Sequence, residues 1–240
     1  MLRKKIMLAI ASFLVTITVS AQSADEVIDK YFAAIGGKEN WKKVTSLISE
    51  GTMLVQGADV TLVSTTVHNV GVRQDISVMG MTGFQIITPT AGWAYLPFHG
   101  QTSVQQLPED AVKQSVDQCD LQGALMDYKS KGHKVEYAGK DEVDGKAMLK
   151  LNITHKSGKQ ETYFIDSENW YLVKVLSKQV VNGLESESVV FFSNYQKLPE
   201  GIVIPMAINL PVAPGMSADL VVKKVEVNKP VADSTFKPSL

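Results

Sequence analysis

The chain has 240 residues, 45% of them hydrophobic and 20% charged, with 24 Lys+Arg against 25 Asp+Glu. That composition excludes a disordered, collagen-like or low-complexity chain, and the near-neutral balance leaves no electrostatic footprint for nucleic acid. The single cysteine, Cys119, excludes an intramolecular disulfide framework and a cysteine-rich zinc site.

Residues 1–21 read as an export signal. Arg3, Lys4 and Lys5 form a basic start, Ile6 to Val19 carry no charge, and Val19-Ser20-Ala21 supplies small residues for cleavage ahead of Gln22. The apolar run is shorter than the roughly 20 residues a membrane span needs, and no later stretch reaches that length. Removing the segment takes three of the 24 basic residues and none of the 25 acids, so the formal charge moves from −1 to −4. Residues 22–240 are expected to form one domain that does not span a membrane.

Ser23 with Glu26 has the pattern of a capping box, and Ile28, Tyr31, Phe32 and Ile35 follow at helical spacing until Gly36-Gly37 ends the helix. Lys38 to Val44 reads as a further short helical turn with Trp41 and Val44 facing inward. From Thr45 to Pro97 the chain is rich in Val, Ile, Thr and aromatics, broken by glycines at the spacing of an antiparallel meander. Pro108-Glu109-Asp110 opens a second helical segment, with Val112, Val116 and Cys119 on one face and Leu125 and Tyr128 continuing an apolar stripe.

Strands resume at His133. Ala147, Leu149, Leu151 and Ile153 alternate with polar residues, and Asp144-Gly145, Ser157-Gly158 and Asn182-Gly183 are hairpin dipeptides. Pro205 to Met216 is either a mobile apolar loop or an edge strand with a turn at Pro214-Gly215. About ten or eleven strands with no second helical layer predict a mainly β fold. Its form would be a large curved antiparallel sheet, an unclosed β-barrel with helices filling or lidding the concave side.

Sequence signatures of catalysis and metal binding are missing. The histidines His68, His99, His133 and His155 are isolated, without an H-E-x-x-H pattern. His68 and His155 fall near strand ends, where a solvated imidazole is the expectation. No nucleophile elbow and no phosphate-binding glycine loop occurs. Asp141, Glu142 and Asp144 cluster at a turn and read as a solvated face. Cys119, on an apolar helix face, reads as a buried small hydrophobe. No catalytic residue, metal or cofactor is therefore assigned.

The apolar residues point further. Met79, Met81 and Phe84 crowd a glycine-interrupted stretch, and Trp93, Tyr95 and Phe98 follow. Thioethers beside aromatics suit a pocket for acyl chains of varied shape, and the same residues also suit plain core packing.

Several motifs stand in a fixed order along the chain. Tyr31…Ile35-Gly36-Gly37 is followed by Trp41-Lys42…Val44-Thr45-Ser46-Leu47 and Glu50-Gly51. Tyr163-Phe164-Ile165-Asp166 precedes Tyr171-Leu172-Val173-Lys174, and then come Asn194-Tyr195, Gly201 to Pro205, and Asp233…Phe236-Lys237-Pro238. In these the chain resembles the LolA-like outer-membrane lipoprotein-sorting proteins, in the form common in Bacteroidetes. The resemblance covers residues 22–240 and implies an unclosed β-barrel whose hydrophobic cavity holds acyl chains in the periplasm.

The resemblance further implies a non-enzymatic carrier without cofactor. Its partners would be lipid or lipoprotein acyl chains and inner- or outer-membrane sorting proteins. Met79, Met81, Phe84, Trp93, Tyr95 and Phe98 are the candidate ligand-binding residues. Carrier members of that family use a basic residue near the cavity mouth, and Arg73, the one arginine beyond the signal segment, is the candidate for it. The competing readings are an envelope interaction or structural protein with a filled barrel, and an envelope hydrolase.

Overall fold

The computed structural model describes residues 23–181 and 184–239. The expected signal segment and the Asn182-Gly183 turn lie outside the described residues. The chain opens with helix α1 (Ala24–Ala34), where the Ser23 hydroxyl accepts the Glu26 backbone N–H at 3.2 Å. Glu26 turns instead to Lys30, 3.1 Å away, so only half of the capping box forms. Val27, Ile28, Phe32 and Ile35 make the buried stripe, with Tyr31 packed beside it.

Helix α2 (Lys38–Lys42) follows at once. Gly36 lies at φ +103°, and a Cβ there would stand 2.1 Å from the Gly201 carbonyl oxygen. The same corner is tied by Trp41 Nε1–H donating to the Ile35 carbonyl (2.9 Å) and by the Val203 N–H donating to that same carbonyl (2.9 Å). Two motifs more than a hundred residues apart thus meet where the first helix is seated on the sheet.

The first meander comprises β1 (Ser46–Val55), β2 (Ala58–Val67), β3 (Gly71–Val78), β4 (Met81–Ile87), β5 (Gly92–Tyr95) and the short β6 (Gln105–Gln106). Helix α3 (Glu109–Ser115) and a 3-10 turn over Val116–Cys119 lead into β7 (Lys134–Val143), β8 (Lys146–Thr154) and β9 (Gln160–Asp166). Four strands complete the second meander: β10 (Leu172–Val181), β11 (Leu184–Lys197), β12 (Val203–Ala213) and β13 (Met216–Val227). All thirteen belong to one sheet of order β6-β5-β4-β3-β2-β1-β13-β12-β11-β10-β9-β8-β7. The outermost strands do not pair with each other, so the sheet is an unclosed antiparallel barrel.

Turn chemistry explains the tight hairpins. Gln56-Gly57, Met79-Gly80 and Asp144-Gly145 each place two residues at positive φ, as a two-residue loop matched to strand twist requires. The sheet has thirteen strands rather than ten or eleven. The apolar stripe expected to continue through Leu125 and Tyr128 is a series of turns from Leu121 to Gly132, not helix. Pro205 to Met216 is not a loop: it forms most of β12, which pairs with β11 as far as Asn209 and with β13 from Ala207 to Ala213, and it turns at Pro214-Gly215 as the strand reading expects. Pro211 is tolerated because it lies past the end of the β11 pairing, beside a register shift against β13.

One face of the sheet carries the core. On the β8–β10 side α1 packs with Leu125 and Met126 against Leu149, Leu151, Ile153, Ile165 and Val175. In the middle Trp41, Val44 and Leu121 cover Ile202, Ile204 and Val227. Farther along, Cys119 closes over Val72 and Ile87. Phe192 joins the α1 cluster and stands opposite Ile208 in the next strand, so the covered and uncovered regions share a face. Among the described residues no helix is long and apolar enough to cross a membrane.

Candidate functional site

Beyond the helical cover, the same face leaves a cavity of about 830 Å3 between β1–β4 on one side and β12–β13 on the other. Strand alternation decides its lining. Ser49, Met53 and Val55 point into it from β1, Val60, Leu62 and Ser64 from β2, and Gln74, Ile76 and Val78 from β3. Met81 and Gln85 come from β4, Ile208 and Leu210 from β12, and Leu220 and Val222 from β13. Leu96, Phe98 and His99 cover one end. Among the described residues no Asp, Glu, Lys or Arg lines it, and the volume lies within the range of small-molecule sites, roughly 300–1,000 Å3.

Of the residues singled out in the sequence, Met79, Met81 and Phe98 line this cavity. Met79 sits on the rim, 82% exposed, because it is the first residue of a turn with both residues at positive φ. Phe84, Trp93 and Tyr95 lie on the opposite face of the sheet, where Phe84 and Ile86 pack with Phe236 from the C-terminal 3-10 turn. Gln85, between them in sequence, points into the cavity in their place.

Arg73 shares that opposite face. Its guanidinium makes bonds of 2.7–2.9 Å to the Asp75 carboxylate, donates to the Thr235 carbonyl and lies over the Phe84 ring at 4.5 Å. The structure therefore places Arg73 in a structural clasp holding the C-terminal turn. The cavity lining residues Leu62, Gln74, Ile76 and Leu210 were not singled out from the sequence. A period of two through β2, β3 and β12 was the signal that could have found them.

Sequence reading also missed a buried ionic cluster at the end of β8. His155, expected to be solvated, is 4% exposed. Its Nε2–H points to Glu161 (2.8 Å) and its Nδ1 lies 2.9 Å from Asp117, off the line of a good hydrogen bond. Glu161 in turn accepts from Ser177 (2.9 Å) and pairs with Lys159 (2.7 Å). Burial alone would depress the imidazole pKa, but the carboxylates of Asp117 and Glu161 outweigh it and raise it to about 9. Burial likewise opposes ionisation of Glu161, yet His155 and Lys159 bring it down to about 2.

His155 is thus a cation held between two anions. Asp117, His133 and His155 also present ligand-type atoms within 4.8 Å of one another. Their protons argue against a cation site. An imidazolium has no free lone pair, and His133 Nδ1 already accepts the Lys156 N–H at 3.0 Å. Burial and the His155 charge lower the pKa of His133, which stays neutral beside it. Asp117 and His133 border a second hollow of about 730 Å3 with Asp120, Lys131 and Lys156. There Lys131 is ion-paired with Asp120.

Cys119 is 2% exposed, and burial pushes its thiol up to about 11. It is expected to stay unmodified by a thiol reagent at pH 8 in native buffer and to react fully in denaturant. Rapid native labelling would show that the cover over Val72 and Ile87 opens readily.

No family model and no curated protein matches this chain. Solved structures do. A LolA superfamily protein from Nitrosomonas europaea superposes with TM-score 0.59 at 11% identity, over 91% of this chain and 99% of that one. A DUF1329 family protein from Desulfovibrio piger gives 0.57 at 12% identity, over 89% and 96%. A Vibrio parahaemolyticus outer membrane lipoprotein-sorting protein domain gives 0.53 at 12% identity, over 88% and 95%. Likeness at such low identity, spanning nearly the full length of each chain, is likeness of architecture. The chain has a LolA-like fold.

Proposed function

We propose that this protein binds lipids or the acyl chains of lipoproteins and carries them in the periplasm towards the outer membrane, after export by the signal segment at residues 1–21. The observation that carries the reading is the uncharged cavity on the helix-covered face. Moving acyl chains from water into it gains about 0.8 kcal/mol per methylene. A filled barrel would leave no such space, and the core under α1 is filled in that way while the β1–β4 side is not. The sorting function named for the Vibrio neighbour is consistent with such a cargo. Binding and release need no covalent chemistry, so the reading is non-enzymatic.

Native mass spectrometry of protein purified from its own periplasm, with organic extraction, tests the proposal. A stoichiometric lipid or lipoprotein adduct is expected. Leu62 and Ile76 stand opposite each other in the cavity wall. The double change Leu62→Asp and Ile76→Asp should lower lipid affinity at least tenfold, because a carboxylate there has no cation to meet it. A clean apo mass and no uptake of added lipid would sink the carrier reading.

A further inference from the structure

One polar row crosses the middle of the cavity wall, apart from Gln56 and His99, which line the cavity outside it. Ser49 stands opposite Ser64, Ser64 opposite Gln74, and Gln74 opposite Gln85, so four neighbouring strands contribute one residue each. All four line the cavity. At 4.7–4.9 Å between strands the row is about 14 Å long. Towards the hairpin turns the next residues are apolar, among them the facing pair Leu62 and Ile76. Towards the interior Val72 and Ile87 face each other under Cys119.

These four side chains make no hydrogen bond to any other group among the described residues, and their backbone groups belong to strands paired on both sides. Half-buried carboxamides and hydroxyls in an apolar surround require partners, which only water or a ligand can supply. Glutamine both donates and accepts, and serine does too. A row of this kind matches ester or amide carbonyls and hydroxyls. The row itself gives no counter-charge to a phosphate or carboxylate: Arg73 is on the other face of the sheet, bound to Asp75, and the imidazole of His99 lines the cavity beside Phe98 and not in the row.

Resting on the lipid-binding reading above, we infer that the Ser49–Ser64–Gln74–Gln85 row receives the neutral polar end of an acyl ligand. The cavity then selects uncharged acyl esters and amides over free anionic lipids. The acyl ester of a glycerolipid and that of a diacylated lipoprotein share this chemistry.

The test is competition against the apolar fluorescent reporter 1-N-phenylnaphthylamine at pH 8. Monooleoylglycerol should displace it at no more than a tenth of the concentration oleate needs. Gln74→Leu with Gln85→Leu should weaken monooleoylglycerol about tenfold relative to the reporter, whose own affinity is measured for each variant. Ser49→Ala with Ser64→Ala should act in the same direction more weakly. Unchanged monooleoylglycerol affinity in both pairs, with the reporter still bound, overturns the row and leaves the carrier reading standing. A wild-type protein that binds neither reporter nor lipid overturns both. Dioleoylglycerol and a synthetic S-diacylglyceryl-cysteine peptide complete the set. Displacement by either that weakens in the Gln74→Leu and Gln85→Leu pair supports the row, displacement that does not weaken counts against it, and whichever acts at lower concentration on the wild type identifies the source of the ester.

Discussion

Changing His155 to alanine is expected to destabilise the fold by about 3–5 kcal/mol, seen as a lower urea midpoint at pH 7, because it takes the imidazole from the buried Glu161 carboxylate and leaves it to Lys159, Ser177 and Tyr163. The pH dependence gives a second readout. His155 is raised from 6.5 to about 9 on folding, so its contribution is complete below about pH 6.5 and is lost as pH rises through 9. Glu161 is lowered from 4.5 to about 2, so its contribution is complete above pH 4.5 and is lost as pH falls through 2.

Stability from this cluster therefore peaks between about pH 4.5 and 6.5 and declines on the alkaline side by roughly 3 kcal/mol in total. Asp117, Glu161, Lys159 and the neutral His133 are the groups that face the imidazole. The alkaline decline between pH 6.5 and 9.5 should vanish in the alanine variant. Parallel curves for the two proteins would mean that His155 is neutral in the fold.

Gly36→Ala is expected to cost about 2–4 kcal/mol. Two effects add at this position. An L-residue at φ +103° is strained, and the new Cβ would meet the Gly201 carbonyl oxygen at 2.1 Å, a contact with backbone that has no side-chain freedom to yield. Relief requires α1 and the β11–β12 turn to part, which disturbs the bonds that Trp41 and Val203 make to the Ile35 carbonyl. The neighbouring Gly37→Ala is the control: it also has positive φ, but no atom lies within 4 Å of its added Cβ, so only the strain remains. Equal losses at the two positions would show that packing against Gly201 contributes nothing.

The architecture was legible where local chemistry is decisive. Alternation through Ala147–Ile153, the dipeptide Asp144-Gly145 and the helix ending at Gly36 each specify a backbone shape without distant help. Residues Leu121–Gly132 misled because their apolar spacing suits a helix, while Asp127, Gly123 and Gly132 at positive φ break it into turns. The candidate site was half legible. Sequence proximity grouped Met81 with Phe84, yet an odd number of residues along a strand separates opposite faces. The register that sets Phe84 against Tyr95 then carries Trp93 and Tyr95 to that other face as well. His155 was missed for another reason: Asp117 reaches it from the helical connection, nearly forty positions earlier in the chain.

The pairing of β1 with β13 also bears on how the molecule forms. Leu47 stands opposite Val227, about 180 residues away, so the seam at the middle of the sheet closes across nearly the whole chain. Each meander can zip from its own hairpins, but neither can finish its central edge until the last strand is available. Loop-closure entropy makes such a join a late step, and folding should be slow for the chain's size, on the millisecond-to-second scale or longer. Until then β1 offers an unpaired strand edge beside an open apolar face, the form in which this protein would be most prone to aggregate or to need a chaperone.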